Sequence, residues 1–368
     1  MIHKTGAIPW FQPTFWGNEK SYVLDALESS WLSEGGYVDK FENLLTRALK
    51  TQQAITVCNG TAALHLALLT EAIGSGDEVI VPGFTFAAPV NMTLATGATP
   101  VYVDIDPNTW CISPDEILKA ITPRTKAIIP VHLYGNVCNM EEILNIGASF
   151  KISVIEDVAE SFMSQYKGQY AGTFGAFGCY SFQATKTITT GEGGAICTDD
   201  NHKAEKARII RNHGMTKERR YWHHEVGHNF RLTNLQSALG FSQLEKIQDI
   251  IQNKKRVYDA YLENLSEVKG ISFQRFEKEV DPVVWAVALR VDPKFFKGDR
   301  DYLIKALSEV GIETRPGFSP FHEMPIYKCP PLKNVTDVSR TLLSLPSYPS
   351  LSNEDIYYIS EQVKLLRK

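Results

Sequence analysis

No apolar run in this chain comes near the ~20 residues that a membrane-spanning helix requires. The opening residues, Met1-Ile2-His3-Lys4-Thr5-Gly6, lack the apolar core of a secretory signal. Basic residues are not in excess: the net charge is −4 and the isoelectric point about 6.2, so neither nucleic acid nor an anionic membrane is an expected partner. The six cysteines are scattered without a C-x-x-C pair, and they read as reduced thiols of a cytoplasmic enzyme rather than a disulfide or zinc framework. His223, His224 and His228 have no cysteine or acidic ligand pattern beside them, so no metal is expected. Neither G-x-G-x-x-G nor G-x-x-x-x-G-K-[ST] occurs, which argues against dinucleotide and ATP sites. Internal repeats and low-complexity tracts are also missing.

What the chain does have is length and alternation. Its 368 residues, 43% of them hydrophobic, suffice for a large domain with a smaller companion. Short β-rich runs at 54–58, 78–81, 100–105, 127–131, 152–155, 177–182 and 195–198 alternate with helical spacing at 62–73, 114–120 and 140–146. Buried strands separated by helices predict an α/β fold, a mostly parallel sheet flanked by helices. Ligands of such sheets bind beyond the carboxyl ends of the strands. A polar, aromatic stretch at 211–231 interrupts the alternation, and a helical region runs from 234 to about 265. A strand at 283–291, a helix at 300–310, a short strand at 312–315 and a closing helix at 353–366 predict a smaller α+β domain. The expected division is 1–250 and 251–368.

The run Ser181-Phe182-Gln183-Ala184-Thr185-Lys186-Thr187-Ile188-Thr189-Thr190-Gly191-Glu192-Gly193-Gly194 places a lysine between a strand and a Gly-rich turn. A desolvated lysine amine loses its proton readily and can form an imine with an aldehyde. The plain alternative for Lys186 is a solvated loop lysine. Upstream, Asn59-Gly60-Thr61-Ala62 follows a strand and opens a helix, where free N–H groups and the helix dipole suit a phosphate. Thr61 could instead simply cap that helix. Asp157 ends a strand 29 residues before Lys186. A carboxylate there can hold a pyridinium nitrogen protonated, or it can cap the next segment. Phe84 and Phe86 can each stack on a ring or pack the core.

Taken together, these segments resemble the DegT/DnrJ/EryC1/StrS family of sugar aminotransferases. Also similar to that family are Ile8-Pro9, Trp31-Leu32-Ser33, Asn229-Phe230-Arg231-Leu232-Thr233-Asn234 and Arg315-Pro316. The resemblance implies a type I aminotransferase fold, pyridoxal 5'-phosphate (PLP) as cofactor and Lys186 as its covalent attachment. It further implies Gly60, Thr61, Ala62 and Ser181 at the phosphate, Phe86 over the ring and Asp157 at the ring nitrogen. Glu160, where many relatives have Gln, falls near the phenolic oxygen. Asn229 would reach the phosphate from the other subunit of a homodimer with shared sites. A branch of the family replaces the lysine by histidine and dehydrates; this chain keeps Lys186.

Within the family, Arg219-Arg220-Tyr221-Trp222-His223 and Ile312-Glu313-Thr314-Arg315-Pro316, with His322 and Met324-Pro325-Ile326-Tyr327, resemble the perosamine synthase branch. That implies glutamate as amino donor and a nucleotide-linked 4-keto-6-deoxy sugar as acceptor. Arg219, Arg220 and Arg315 are candidates for the diphosphate, since a guanidinium matches phosphate oxygens; each is otherwise a surface arginine. Tyr221, His322 and Tyr327 are candidates for substrate contact, and the last two could instead pack the domain junction. The chain departs from that branch in Phe182-Gln183-Ala184-Thr185-Lys186, where F-F-G-N-K is commoner, and in His228 and Gly317, where aromatic residues are expected. Three alternatives keep the cofactor residues: a transaminase for dTDP- or UDP-linked keto-sugars, one for a small phosphorylated ketone, and a non-catalytic PLP sensor.

Overall fold

A computed structural model describes residues 7–216, 219 and 221–368. The large sheet is built from β1 (Gln53–Val57), β2 (Glu78–Pro82), β3 (Thr99–Val103), β4 (Thr125–Ile128) and β5 (Ser153–Asp157). The two-residue strands β6 (Gln165–Tyr166) and β7 (Gln169–Tyr170) lie outside it, and β8 (Phe177–Ser181) and β9 (Gly194–Thr198) complete it. Its order is β1-β9-β8-β5-β4-β2-β3, with only β9 running against the rest. The expected mostly parallel sheet is therefore found. Val79, Ile80 and Val81 of β2 are fully buried, as befits β-branched residues covered on both faces.

The helix Gly60–Thr70 is Ala- and Leu-rich and buried around most of its circumference, so it packs between other elements rather than on the surface. The region expected to be helical from 234 to about 265 is two helices, Asn234–Glu245 and Ile247–Leu265, broken at Lys246. The first of them opens on a capping box formed by Thr233 and Gln236.

The C-terminal part adds β10 (Ile271–Phe273), β11 (Val280–Asp281), β12 (Ala288–Val291), β13 (Arg315–Pro316) and β14 (Leu342–Ser344). Four of these form an antiparallel sheet in the order β10-β12-β14-β13, while β11 pairs with β6 beside the large sheet. The strand expected at 283–291 is formed only from Ala288 onward. Backbone groups before it spend their hydrogen bonds on side chains: Val283 N–H on Ser164 Oγ, the Trp285 carbonyl on Lys254 Nζ and Val287 N–H on Ser347 Oγ. The strand expected at 312–315 likewise shrinks to Arg315–Pro316, because Ile312 pairs with Ile8 instead. The helix Ile247–Leu265 spans two cores, placing Ile247 and Ile250 in one and Val257, Tyr261 and Leu265 in the other. Among the described residues no helix is long and apolar enough to cross a membrane, and no group of three or more His, Cys, Asp or Glu is placed to hold a metal.

Candidate active site

Two strand ends and a helix start converge. Asp157 closes β5, Ser181 closes the neighbouring β8, and the helix Gly60–Thr70 starts beside Ser181. The approach is so close that a Cβ on Gly60 would lie 2.7 Å from Ser181 Cβ. Asn59, not Thr61, caps this helix, its Oδ1 accepting the Ala62 N–H at 2.7 Å. Ala62 N–H is thereby occupied, which differs from its expected place at the phosphate. The Gly60 and Thr61 N–H groups have no acceptor among the described residues, because a helix's first turn leaves such donors over.

After β8 the chain turns on Gln183. Its Oε1 accepts the Thr185 N–H and hydroxyl at 2.8 and 2.7 Å, and its carbonyl accepts the Lys186 N–H at 2.8 Å. This local network shows how Gln183-Ala184-Thr185 builds the turn that relatives write differently. It delivers Lys186 Nζ to 3.6 Å from Glu160 Oε1, and the lysine side chain is only 14% exposed. Glu160 Oε2 accepts the Tyr134 N–H at 3.1 Å. Burial pushes the Glu160 carboxyl up, against the pull of the Lys186 charge and the Tyr134 N–H. Asp157 is also raised by burial, opposed by the Ala159 N–H (3.0 Å to Oδ1), Lys186 and His132.

Asp157 is held from behind by groups that sequence reasoning missed. Its N–H donates to the Pro130 carbonyl at 2.9 Å, and its carbonyl accepts the His132 N–H at 3.0 Å. Glu156, directed to the other face of β5 by strand alternation, is fully buried. It accepts N–H groups from Gly172, Phe174 and Gly175 at 2.7–2.8 Å. His132 Nδ1 accepts the Cys138 N–H at 3.1 Å, so the ring proton sits on Nε2 and is donated to Glu156 at 3.1 Å. The one sequence signal for this pair was a carboxylate directly beside Asp157.

Above the lysine stands an aromatic arc. Trp285 presents its ring face 3.9 Å from Lys186 Nζ, and Tyr134 lies 5.9 Å from Trp285. Phe318 is 6.1 Å from Tyr134 and 6.3 Å from Phe86. Phe86 is 62% exposed whereas Phe84 is fully buried, so the two phenylalanines divide between the site and the core. Trp285 is the largest residue the sequence reading missed; it lay in what read as an ordinary strand.

The substrate candidates are dispersed. Arg315 pairs with Glu313 and stands 5.8 Å from the ring of Trp10, which packs edge-on to Trp285 at 5.7 Å, so it is linked to the lysine cluster. His322 lies 3.5 Å from Thr336 Oγ1, and Tyr327 donates its hydroxyl to Asn91 Oδ1 at 2.8 Å while packing on Phe321. No described contact joins these two to Lys186. Arg219 lies over the Trp222 ring at 4.2 Å, and Tyr221 is 75% exposed, both on the segment after Met215. Arg220 lies outside the described residues. Asn229 is exposed; Arg231 Nε–H donates to its Oδ1 at 3.1 Å, which leaves the amide N–H2 turned outward as a donor.

A family model described as the DegT/DnrJ/EryC1/StrS aminotransferase family matches residues 15–364. The chain is 43% identical over 359 residues to GDP-perosamine synthase of Escherichia coli O157:H7, covering 97% of each protein. It is 40% identical to GDP-perosamine synthase of Caulobacter vibrioides, covering 94% of each. The solved structure of S. venezuelae DesV superposes with a TM-score of 0.89 at 31% identity, covering 95% of this chain and 94% of that one. The chain belongs to the DegT/DnrJ/EryC1/StrS aminotransferase family and is a PLP-dependent sugar aminotransferase of the perosamine synthase type.

Proposed function

We propose that this enzyme moves the amino group of glutamate to the keto carbon of a GDP-linked 4-keto-6-deoxy sugar, with Lys186 as the cofactor lysine. The observation that carries the reading is the buried approach of Lys186 Nζ to Glu160 beside Asp157, in a chain 43% identical to a GDP-perosamine synthase. The residues fit PLP. The Gly60 and Thr61 N–H groups and Ser181 form a cradle too tight for a side chain at 60, suited to the phosphate. A carboxylate at Asp157, positioned by the Ala159 N–H at 3.0 Å, suits a protonated ring nitrogen. Exposed Phe86 offers a face for the ring.

When bound, PLP supplies an aldehyde for the amine and a ring that accepts the electron pair released at carbon. Lys186 then holds the cofactor at rest and, once displaced by the donor amine, moves the proton from the donor's α-carbon as base and then acid. Asp157 would keep the ring nitrogen protonated, and Glu160, which faces Lys186, would serve the phenolic oxygen. Arg315, at the aromatic mouth, is the best placed of the arginines for the diphosphate.

The shared-site homodimer is part of this reading. Asn229 turns its N–H2 outward, and Arg231 beside it lines a cavity of about 750 Å³ with Trp31, Glu34 and Met215. Trp31, Leu32 and Trp222 are exposed, as aromatic and aliphatic residues of an interface core are in a lone chain. Mixing Lys186→Ala with Asn229→Asp subunits is then expected to restore some activity in one of the two sites of each hybrid. Hybrids seen by mass that stay inactive would remove Asn229 from the partner's site. The free, mostly buried cysteines accord with a cytoplasmic enzyme feeding a surface polysaccharide.

The substrate assignment is tested by 2-oxoglutarate release from glutamate with GDP-, dTDP- and UDP-linked 4-keto-6-deoxy sugars supplied separately. Turnover with the GDP sugar, at least tenfold in kcat/KM above the others, is expected. Preference for another nucleotide or for a small phosphorylated ketone would overturn it.

A further inference from the structure

Trp285 belongs to the C-terminal part of the chain, yet it is bonded at three points to the environment of Lys186. Its Nε1–H donates to the carbonyl of Thr185, the residue preceding the lysine, at 2.7 Å. Its ring face lies 3.9 Å from Lys186 Nζ, near enough to attract the ammonium. Its own carbonyl accepts a hydrogen bond from Lys254 Nζ at 2.9 Å. Lys254 is 2% exposed, has no acidic partner among the described residues, and spends its amine on that single carbonyl. Trp10 packs edge-on at 5.7 Å and Tyr134 at 5.9 Å, so the indole is confined on its flanks as well.

A flexible lysine side chain costs rotational entropy to hold in one place. Fixing both the Thr185 carbonyl and the Nζ from one rigid ring removes much of that freedom before any reaction begins. We propose that Trp285 is the positioning residue of Lys186, clamping the carbonyl before it and the amine itself, with Lys254 as the buried anchor that holds Trp285 in place. The inference rests on Lys186 being the cofactor lysine.

Loss of the ring leaves the amine unheld, so the limiting rate of its attachment to an aldehyde falls while binding of the amino donor is little changed.

The test follows covalent attachment of PLP to cofactor-free full-length protein from pH 6 to 10, trapped with borohydride and located by mass at the Lys186 peptide. Trp285→Leu is expected to lower the limiting rate at high pH at least tenfold. Its kcat should fall with glutamate KM within about twofold. Trp285→Phe keeps a ring and loses the N–H, so its limiting rate is expected to fall only about threefold. Lys254→Met should slow attachment without abolishing it. A wild-type limiting rate in Trp285→Leu overturns the inference, as does a lowered limiting rate accompanied by a glutamate KM changed well beyond twofold, which general loosening would give. If Trp285→Leu does not fold, a wild-type limiting rate in Trp285→Phe overturns it. Wild-type protein that is trapped at another lysine would instead sink the assignment of Lys186, and the inference with it.

Discussion

Glu160 Oε1 lies 3.6 Å from Lys186 Nζ, with Glu160 5% exposed, so a carboxyl and an amine face each other in a largely dry site. Burial raises Glu160, and the Lys186 charge and the Tyr134 N–H oppose that rise. Asp157, raised by the same burial, completes a three-group arrangement around the amine.

Asp157→Asn replaces the carboxyl by an amide of the same shape that cannot stabilise a protonated ring nitrogen. PLP binding is expected to weaken but persist, and kcat to fall by about 10²–10⁴. Absorbance titration and steady-state rates measure the two effects. Turnover within threefold of wild type would place the nitrogen's partner elsewhere.

How legible was this in the sequence? The parallel sheet followed from β-branched runs separated by helices, and Asp157 fell at a strand end because it closed such a run, whereas the run read as 177–182 ends one residue earlier, at Ser181. Phe84 and Phe86 could not be told apart, since two phenylalanines in one loop differ only by which one the core admits. Thr61 looked like a cap because hydroxyls often cap helices, yet Asn59 reached the Ala62 N–H first. Trp285 was hidden in an apolar run that reads as a strand. Its bonds lead to Thr185 and Lys186, a hundred residues away, and local pattern carries no signal for such a contact. The same holds for His132 beneath Glu156.

Gly60→Ala would force a methyl to within 2.7 Å of Ser181 Cβ, against atoms that cannot swing away. Relief requires moving the helix start or the end of β8, at a cost of about 1–3 kcal/mol. The dissociation constant for PLP, measured by equilibrium dialysis, is expected to rise at least tenfold. Wild-type affinity in this variant would mean that the Gly60–Ser181 cradle does not hold the phosphate.

Lys254 supplies a pH dependence. Burial first, and the neighbouring Lys186 charge second, bring it from its ordinary 10.5 to about 7. Between those pH values the unfolded chain holds a proton that the folded chain lacks, so this group makes unfolding harder as pH rises through that window. Its cost is greatest and constant below pH 7. Relative to Lys254→Met, the wild type is expected to gain on the order of 2–4 kcal/mol of stability between pH 6.5 and 9.5. Urea unfolding of both proteins at the two pH values measures this. A difference between them that stays constant with pH would show that Lys254 titrates normally.

The most direct measurement isolates the second half of the reaction. Protein carrying the aminated cofactor is mixed with GDP-4-keto-6-deoxymannose, and the return of PLP absorbance is followed beside Lys186→Arg prepared in the same way. Arginine stays protonated and can neither bond the cofactor nor move the proton. Wild-type protein is expected to regain PLP within seconds while releasing the 4-amino sugar, with Lys186→Arg slower by at least 10³-fold. No return of absorbance with the sugar, or equal rates in the two proteins, would contradict a sugar aminotransferase working through Lys186.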